Sequence, residues 1–142
     1  MYTVYLADDE QLIREGLAET IPWESLRMRL VGTAEDGRHA LRGIREHKPD
    51  IVLTDIRMPY LDGLELIGKI REVHPSCRVV IISGHGEFTY AQSAIQLGVS
   101  DFILKPVDVT SLCRTLGKLT RELDSDCLLY TSPSPRDYAA SR

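Results

Sequence analysis

The chain has 142 residues, 43% of them hydrophobic and 27% charged, and a formal net charge of −4 at pH 7. This composition is ordinary for a globular protein with one core, and the negative charge gives no electrostatic reason for this segment to bind nucleic acid. No apolar run approaches the about 20 residues of a membrane span and the first residues lack a basic export signal, so we expect a cytoplasmic protein without membrane contact.

Apolar segments that are typical of strands alternate along the chain with segments that have one apolar helical face. The pattern predicts five strands, at residues 3–7, 30–34, 51–55, 78–82 and 100–104. It predicts five helices, at residues 10–20, 37–47, 62–74, 88–97 and 108–123. This alternation indicates an α/β protein with a parallel sheet covered on both faces, and the flavodoxin-like, doubly wound strand order 2-1-3-4-5 is the common solution at this size.

Polar side chains stand where four of these strands end. Asp8-Asp9-Glu10 follows the first strand, Asp55 ends the third, Ser83 follows the fourth and Lys105 follows the fifth. In an open α/β sheet the carboxyl ends of the strands form the crevice in which ligands bind. Carboxylates crowded there repel one another unless a cation lies among them, and Mg²⁺ is the hard, oxygen-seeking ion suited to that place.

The remaining residues of this crevice suit phosphoryl transfer to a carboxylate. Met58-Pro59 stops the third strand shortly after Asp55, because proline has no N–H to donate. Lys105 can balance negative charge and hold an anionic oxygen, and the Ser83 hydroxyl can donate to a second one. With a metal ion, these groups predict a site at which Asp55 is the nucleophile.

With these residues the chain resembles the receiver domains of two-component response regulators, over roughly residues 2–123. The matching segments are Asp8-Asp9, Thr54-Asp55-Ile56-Arg57-Met58-Pro59, Leu61-Asp62-Gly63, Ser83-Gly84 and Lys105-Pro106. The resemblance implies that Asp55 accepts a phosphoryl group from a phosphohistidine of a sensor histidine kinase. It also implies a phosphoacceptor that assists its own phosphorylation and slow dephosphorylation, and not an enzyme acting on external substrates.

The resemblance assigns roles to individual residues. Asp8, Asp9, Asp55 and the backbone carbonyl of Arg57 would hold Mg²⁺, and the side chains that contact the phosphoryl oxygens would be those of Lys105 and Ser83. Ser83 and an aromatic switch residue would together transmit phosphorylation to the face formed by the fourth helix, fifth strand and last helix. A homodimer could form on phosphorylation. The aromatic position corresponds to Phe102, for which a plain core aromatic is the alternative reading. The Lys105–Pro106 peptide bond would be cis.

Further segments are similar to receivers that precede an AraC-type DNA-binding domain. They are Ile21-Pro22-Trp23, Gly32-Thr33-Ala34-Glu35-Asp36-Gly37, Phe88-Thr89-Tyr90-Ala91 and the segment from Ala94 to Asp101. The resemblance implies a transcriptional regulator as the parent protein, which would contact DNA through a C-terminal domain that is missing here.

Three other functions share the fold or part of the chemistry. A flavodoxin-type FMN binder needs a phosphate-cradling loop after the first strand, where Asp8-Asp9-Glu10 would repel the phosphate. A haloacid-dehalogenase-type hydrolase has a second Asp two positions after its nucleophile, and here that position is Arg57. A phosphorylation-independent interaction module on the same scaffold remains the alternative.

The composition changes after the last predicted helix. We therefore place the domain at residues 1–124 and a disordered tail at 125–142, because Ser132-Pro133-Ser134-Pro135 breaks a helix and no apolar face continues. Residues 127–137 also resemble a translated transposase-type sequencing adapter, which predicts that the tail is not native from Cys127 onward.

Overall fold

The computed structural model describes the backbone of residues 1–84 and 88–131, and the side chains of residues 1–84 and 92–125. The strands are β1 (Tyr2–Ala7), β2 (Met28–Ala34), β3 (Ile51–Asp55), β4 (Arg78–Ser83) and β5 (Asp101–Leu104). The helices are α1 (Gln11–Thr20), α2 (Gly37–His47), α3 (Gly63–Val73), α4 (Phe88–Gln96) and α5 (Val109–Thr131). Each of the ten elements overlaps one of the predicted segments, with the largest difference at the end of α5.

All strand pairs are parallel, and the order across the sheet is β2-β1-β3-β4-β5. The predicted flavodoxin-like α/β fold and its strand order are therefore confirmed. In this order β3 lies at the centre of the sheet between β1 and β4, and β5 pairs with β4 at the edge. The carboxyl ends of these four strands consequently share one edge of the sheet.

The sheet separates two apolar cores, because successive residues of a strand point to opposite faces. On one face Val52 and Ile81 pack with Ile44 of α2 and Ile67 of α3. On the other face, apolar residues of β1, β3 and β4 pack against α1 and α5, the helical contacts including Leu17 and Leu112. Within the described part of the chain, none of the helices combines the length and apolarity needed to cross a membrane.

Local signals fix the start of α3 where it meets the end of β3. The Asp62 carboxylate accepts the Glu65 N–H at 2.9 Å, and the Glu65 carboxylate accepts the Asp62 N–H at 3.1 Å. This reciprocal capping box satisfies N–H groups that the first turn of a helix leaves free. A Cβ on Gly63 would lie 2.3 Å from the Asp55 carbonyl oxygen, so the helix can approach the end of β3 this closely only with glycine there.

The last helix is longer than the sequence pattern predicted. It continues to Thr131, and so covers residues 125–131 of the segment that we assigned to a disordered tail. The physical reason is that the apolar period ends near Leu123, whereas the first residue that cannot continue a helix is Pro133. Residues 132–142 lie outside the described part of the chain, and the prediction of a non-native tail from Cys127 stays a prediction.

Candidate functional site

Four acidic side chains meet at the carboxyl ends of β1 and β3. Carboxylate oxygens of Asp8, Asp9, Glu10 and Asp55 lie within 4.8 Å of one another. Asp8 and Asp55 are 0% and 4% exposed, whereas Asp9 and Glu10 face the solvent. The ends of β1 and β3 therefore bring the carboxylates together as predicted, with two acids at the bottom of the cluster and two at its mouth.

Lys105 is the cation that faces this cluster. Its Nζ lies 2.6 Å from Glu10 Oε1, 3.0 Å from Asp55 Oδ2 and 3.4 Å from Asp8 Oδ2. The backbone N–H of Lys105 donates to the Ser83 carbonyl oxygen at 2.7 Å, which fixes the lysine at the end of β5 beside β4. The Lys105–Pro106 peptide bond that follows is cis, as the resemblance implied.

Burial and the neighbouring carboxylate raise the pKa of two of these acids, Asp8 and Asp9. Burial, with the nearby Asp55 carboxylate adding to it, raises the pKa of Asp8 to about 6, although the Glu10 N–H and Lys105 favour the charged form. The pKa of Asp9 is raised by partial burial and by Asp55. For Lys105 burial lowers the pKa, but its hydrogen bonds to Glu10 and Asp55 outweigh that effect and the pKa is raised. One lysine therefore offsets only part of the negative charge.

The donor set fits a hard divalent cation. The atoms are all oxygens, and two of the carboxylates are buried, where uncompensated charge is costly. Asp8 Oδ2 is buried and accepts no hydrogen bond from any described residue, although Lys105 Nζ is near enough for an ion pair. The Arg57 N–H lies 3.4 Å from Asp55 Oδ1, so the loop after β3 closes over the same carboxylate. The cluster could therefore hold Mg²⁺.

Ser83 lies beside this cluster at the end of β4. Its side chain is fully buried, and its Oγ has no hydrogen-bond partner among the described residues. Leaving a buried hydroxyl unpaired costs free energy, and such an atom calls for an explanation from a ligand or a function. The unpaired Ser83 hydroxyl is consistent with the predicted hydrogen bond to a phosphoryl oxygen.

Phe102 is placed differently from the residues of the cluster. It pairs with Ile81 of β4, is half buried, and packs against the core that α2, α3 and α4 cover. This position is compatible with both readings that the sequence left open, a switch residue and a core aromatic.

Glu10 is the site residue whose contact the sequence did not reveal. It stands with the acids after β1, and among the described residues it makes the shortest ion pair of Lys105. The two residues are 95 positions apart in the chain, so no local pattern could have indicated the pair.

Comparison with known proteins decides the family. The family model described as the response regulator receiver domain matches residues 4–117. The chain belongs to the response regulator receiver domain family. Among curated relatives, YesN of Bacillus subtilis, an uncharacterized transcriptional regulatory protein, is 44% identical over 123 residues, which are 87% of this chain and 33% of that protein. The transcriptional regulatory protein HptR of Staphylococcus aureus is also 44% identical, over 87% of this chain and 48% of that protein.

Solved structures agree with this assignment. The receiver domain of AraT, a response regulator from Geobacillus stearothermophilus, matches with a TM-score of 0.85 and 42% identity, over 88% of this chain and 97% of that one. A two-component transcriptional regulator AraC from Clostridium phytofermentans matches with a TM-score of 0.78 and 32% identity, over 86% of this chain and 94% of that one. The similarity to receivers of AraC-type regulators is thus supported, while this chain spans one third to one half of the curated relatives named above.

Proposed function

We propose that this receiver domain is phosphorylated on Asp55 by a sensor histidine kinase. A carboxylate oxygen of Asp55 attacks the phosphorus of a phosphohistidine, a P–O bond forms, the P–N bond breaks, and the histidine nitrogen leaves with the bonding electron pair. The observation that carries the proposal is the surroundings of Asp55. A buried carboxylate lies 3.0 Å from a lysine ammonium group, in the same cluster of strand ends as a buried, unpaired serine hydroxyl.

Asp8, Asp9, Asp55 and the carbonyl of Arg57 would hold Mg²⁺ in this site. The bound ion would supply positive charge against the carboxylates and the incoming phosphoryl oxygens. Lys105, already beside Asp55, would hold one of those oxygens, and the Ser83 hydroxyl would donate to another. We propose that the domain does not turn over external substrates. It assists the transfer of a phosphoryl group from a donor to its own Asp55 and the slow hydrolysis of the aspartyl phosphate.

Phosphorylation would then change the face formed by α4, β5 and α5. It replaces the single negative charge of the Asp55 carboxylate with an acyl phosphate of about −1.5 to −2 charges, which would draw the Ser83 hydroxyl toward the new oxygens and give Phe102 room to turn inward. Ser83→Ala should leave phosphorylation measurable and weaken this coupling. NMR shift changes over residues 88–116 that are the same with and without the serine hydroxyl would contradict the switch role.

The parent protein is proposed to be a cytoplasmic transcriptional regulator. Supporting this, the relatives YesN and HptR are named transcriptional regulatory proteins and extend beyond the matched segment. DNA would be contacted by a further domain and not by this acidic segment, and homodimer formation through the α4–β5–α5 face would follow phosphorylation.

Intact mass spectrometry after incubation with acetyl phosphate and Mg²⁺ tests the proposal. The wild type should gain one labile phosphoryl group and Asp55→Asn none, because an amide does not attack as a carboxylate does. EDTA should abolish the adduct, since Asp8 and Asp9 would then repel the anionic donor. A wild type without any adduct would favour the phosphorylation-independent interaction module.

A further inference from the structure

The partners of Lys105 differ in how easily they can be released. Glu10 makes the shortest contact, at 2.6 Å, and its side chain is 57% exposed. Asp55 and Asp8 are buried at 3.0 and 3.4 Å. Breaking the ion pair with a buried carboxylate leaves that charge uncompensated, whereas a released Glu10 carboxylate is solvated by water.

The Glu10 carboxylate stands at the exposed mouth of the acidic cluster, and its hydrogen bond there is with Lys105. Glu10 is the N-cap of α1, yet its side chain makes no capping hydrogen bond. Its backbone N–H donates to Asp8 Oδ1 at 2.8 Å, so the residue is held beside the acids while its carboxylate reaches across the crevice to Lys105.

We propose that Glu10 competes with the phosphoryl group for Lys105 and thereby slows phosphorylation. This inference rests on the proposed function. An ammonium group has three donors, and in the unphosphorylated domain three carboxylates surround it. Before Lys105 can donate to a phosphoryl oxygen, one of these contacts has to open, and the exposed Glu10 contact is the one with the smallest cost. Glu10 is a positioning residue in this scheme and bonds to neither donor nor acceptor of the transfer.

Time courses of adduct formation with acetyl phosphate and Mg²⁺, followed by intact mass, test the proposal. Glu10→Gln should react about two- to fivefold faster, the range expected for the loss of one partly exposed ion pair. Glu10→Asp keeps the charge but is one methylene shorter, so it should also react faster if the contact matters and not the charge alone. Glu15→Gln, on the exposed side of the same helix, is the matched control and should react at the wild-type rate.

A double-mutant cycle shows whether Glu10 acts through the lysine. In a Lys105→Gln background, which should react slowly, adding Glu10→Gln should produce no acceleration. Two outcomes would show that Glu10 acts by repelling the anionic donor and not by competing for Lys105. One is equal acceleration by Glu10→Gln in both backgrounds, and the other is a faster Glu10→Gln beside a Glu10→Asp that reacts at the wild-type rate. Rates for the Glu10 variants at or below that of the wild type would overturn the inference alone, whereas no adduct on any protein would overturn the proposed function and this inference with it.

Discussion

The two ends of the sheet treat their charged groups in opposite ways. At the amino end, Asp50 accepts from the Thr3 N–H at 2.9 Å and from its hydroxyl at 3.3 Å. Arg71 there donates to four carbonyl oxygens, those of Pro75, Cys77, Leu97 and Gly98. At the carboxyl end four carboxylates cluster, three of them within 3.4 Å of Lys105 Nζ, and the buried atoms Asp8 Oδ2 and Ser83 Oγ have no hydrogen-bond partner among the described residues.

The difference indicates that charged groups at the amino end of the sheet stabilise the fold, whereas those at the carboxyl end serve the candidate site. At the amino end the chain itself supplies the partners of Asp50 and Arg71, and Arg71 fastens α3 to the segment before β4 and to the segment between α4 and β5. At the carboxyl end Asp8 Oδ2 and Ser83 Oγ have no hydrogen-bond partner among the described residues, and unpaired buried polar atoms of this kind are a destabilising arrangement typical of functional sites. Substitutions at the two ends should therefore have opposite effects on stability.

The largest stability change is expected at the amino end. Arg71→Met removes the guanidinium group while keeping an apolar stem, and should lower the free energy of unfolding by about 3 kcal/mol, because several carbonyl oxygens lose a charged donor. Urea denaturation measures the change. Arg45→Met, on the exposed side of α2, is the matched control and should change stability by less than about 0.5 kcal/mol. Equal stability of the Arg71 variant and the wild type would contradict the fastening role.

At the carboxyl end, Asp8→Asn should stabilise the metal-free domain. The folded-state pKa of Asp8 is raised from 3.8 to about 6, so the charged form is disfavoured by folding. The loss of stability caused by the Asp8 charge is absent below about pH 4. It grows between about pH 4 and 6, where Asp8 is ionised in the unfolded chain but still protonated in the folded domain, and it is complete above about pH 6. The substitution should then add up to about 3 kcal/mol to the free energy of unfolding.

Urea denaturation in EDTA at several pH values checks this prediction. The gain from Asp8→Asn should be present at pH 7.5 and vanish toward pH 4. A gain that is independent of pH would show that the carboxylate charge is not its source.

A smaller effect is expected from the metal itself. Mg²⁺ at about ten times its dissociation constant should stabilise the wild type by about 1.4 kcal/mol, since it binds the folded state and not the unfolded chain. Thermal melts at constant ionic strength separate binding from screening of charge. Asp8→Asn should show much less of this stabilisation, and an equal rise in both proteins would indicate that the cluster does not hold the ion.

The sequence was sufficient to predict the position of a site residue where that residue stands at the end of a strand. Once the alternating pattern gives the order 2-1-3-4-5, Asp8, Asp55, Ser83 and Lys105 must share an edge, because parallel strands align their carboxyl ends. The start of α3 was equally readable, since Asp62 and Glu65 form a local capping pair.

Features that depend on the reach of long side chains could not be read in this way. The bonds of Arg71 to Leu97 and Gly98 and the contact of Glu10 with Lys105 join residues that are distant in sequence. The end of α5 was misplaced for another reason. Loss of an apolar face is a weaker stop signal than a proline, so the helix runs on to Thr131.

The most direct test of the account locates the phosphoryl group at one residue. Borohydride reduces an acyl phosphate of aspartate to the alcohol, homoserine, whereas it leaves a free carboxylate unchanged. After reaction of the wild type with acetyl phosphate and Mg²⁺, reduction and peptide mass spectrometry should find homoserine at position 55 and aspartate at positions 8 and 9. Homoserine at position 8 or 9, or a phosphoryl adduct whose reduction yields none, would contradict the assignment of Asp55 as the acceptor.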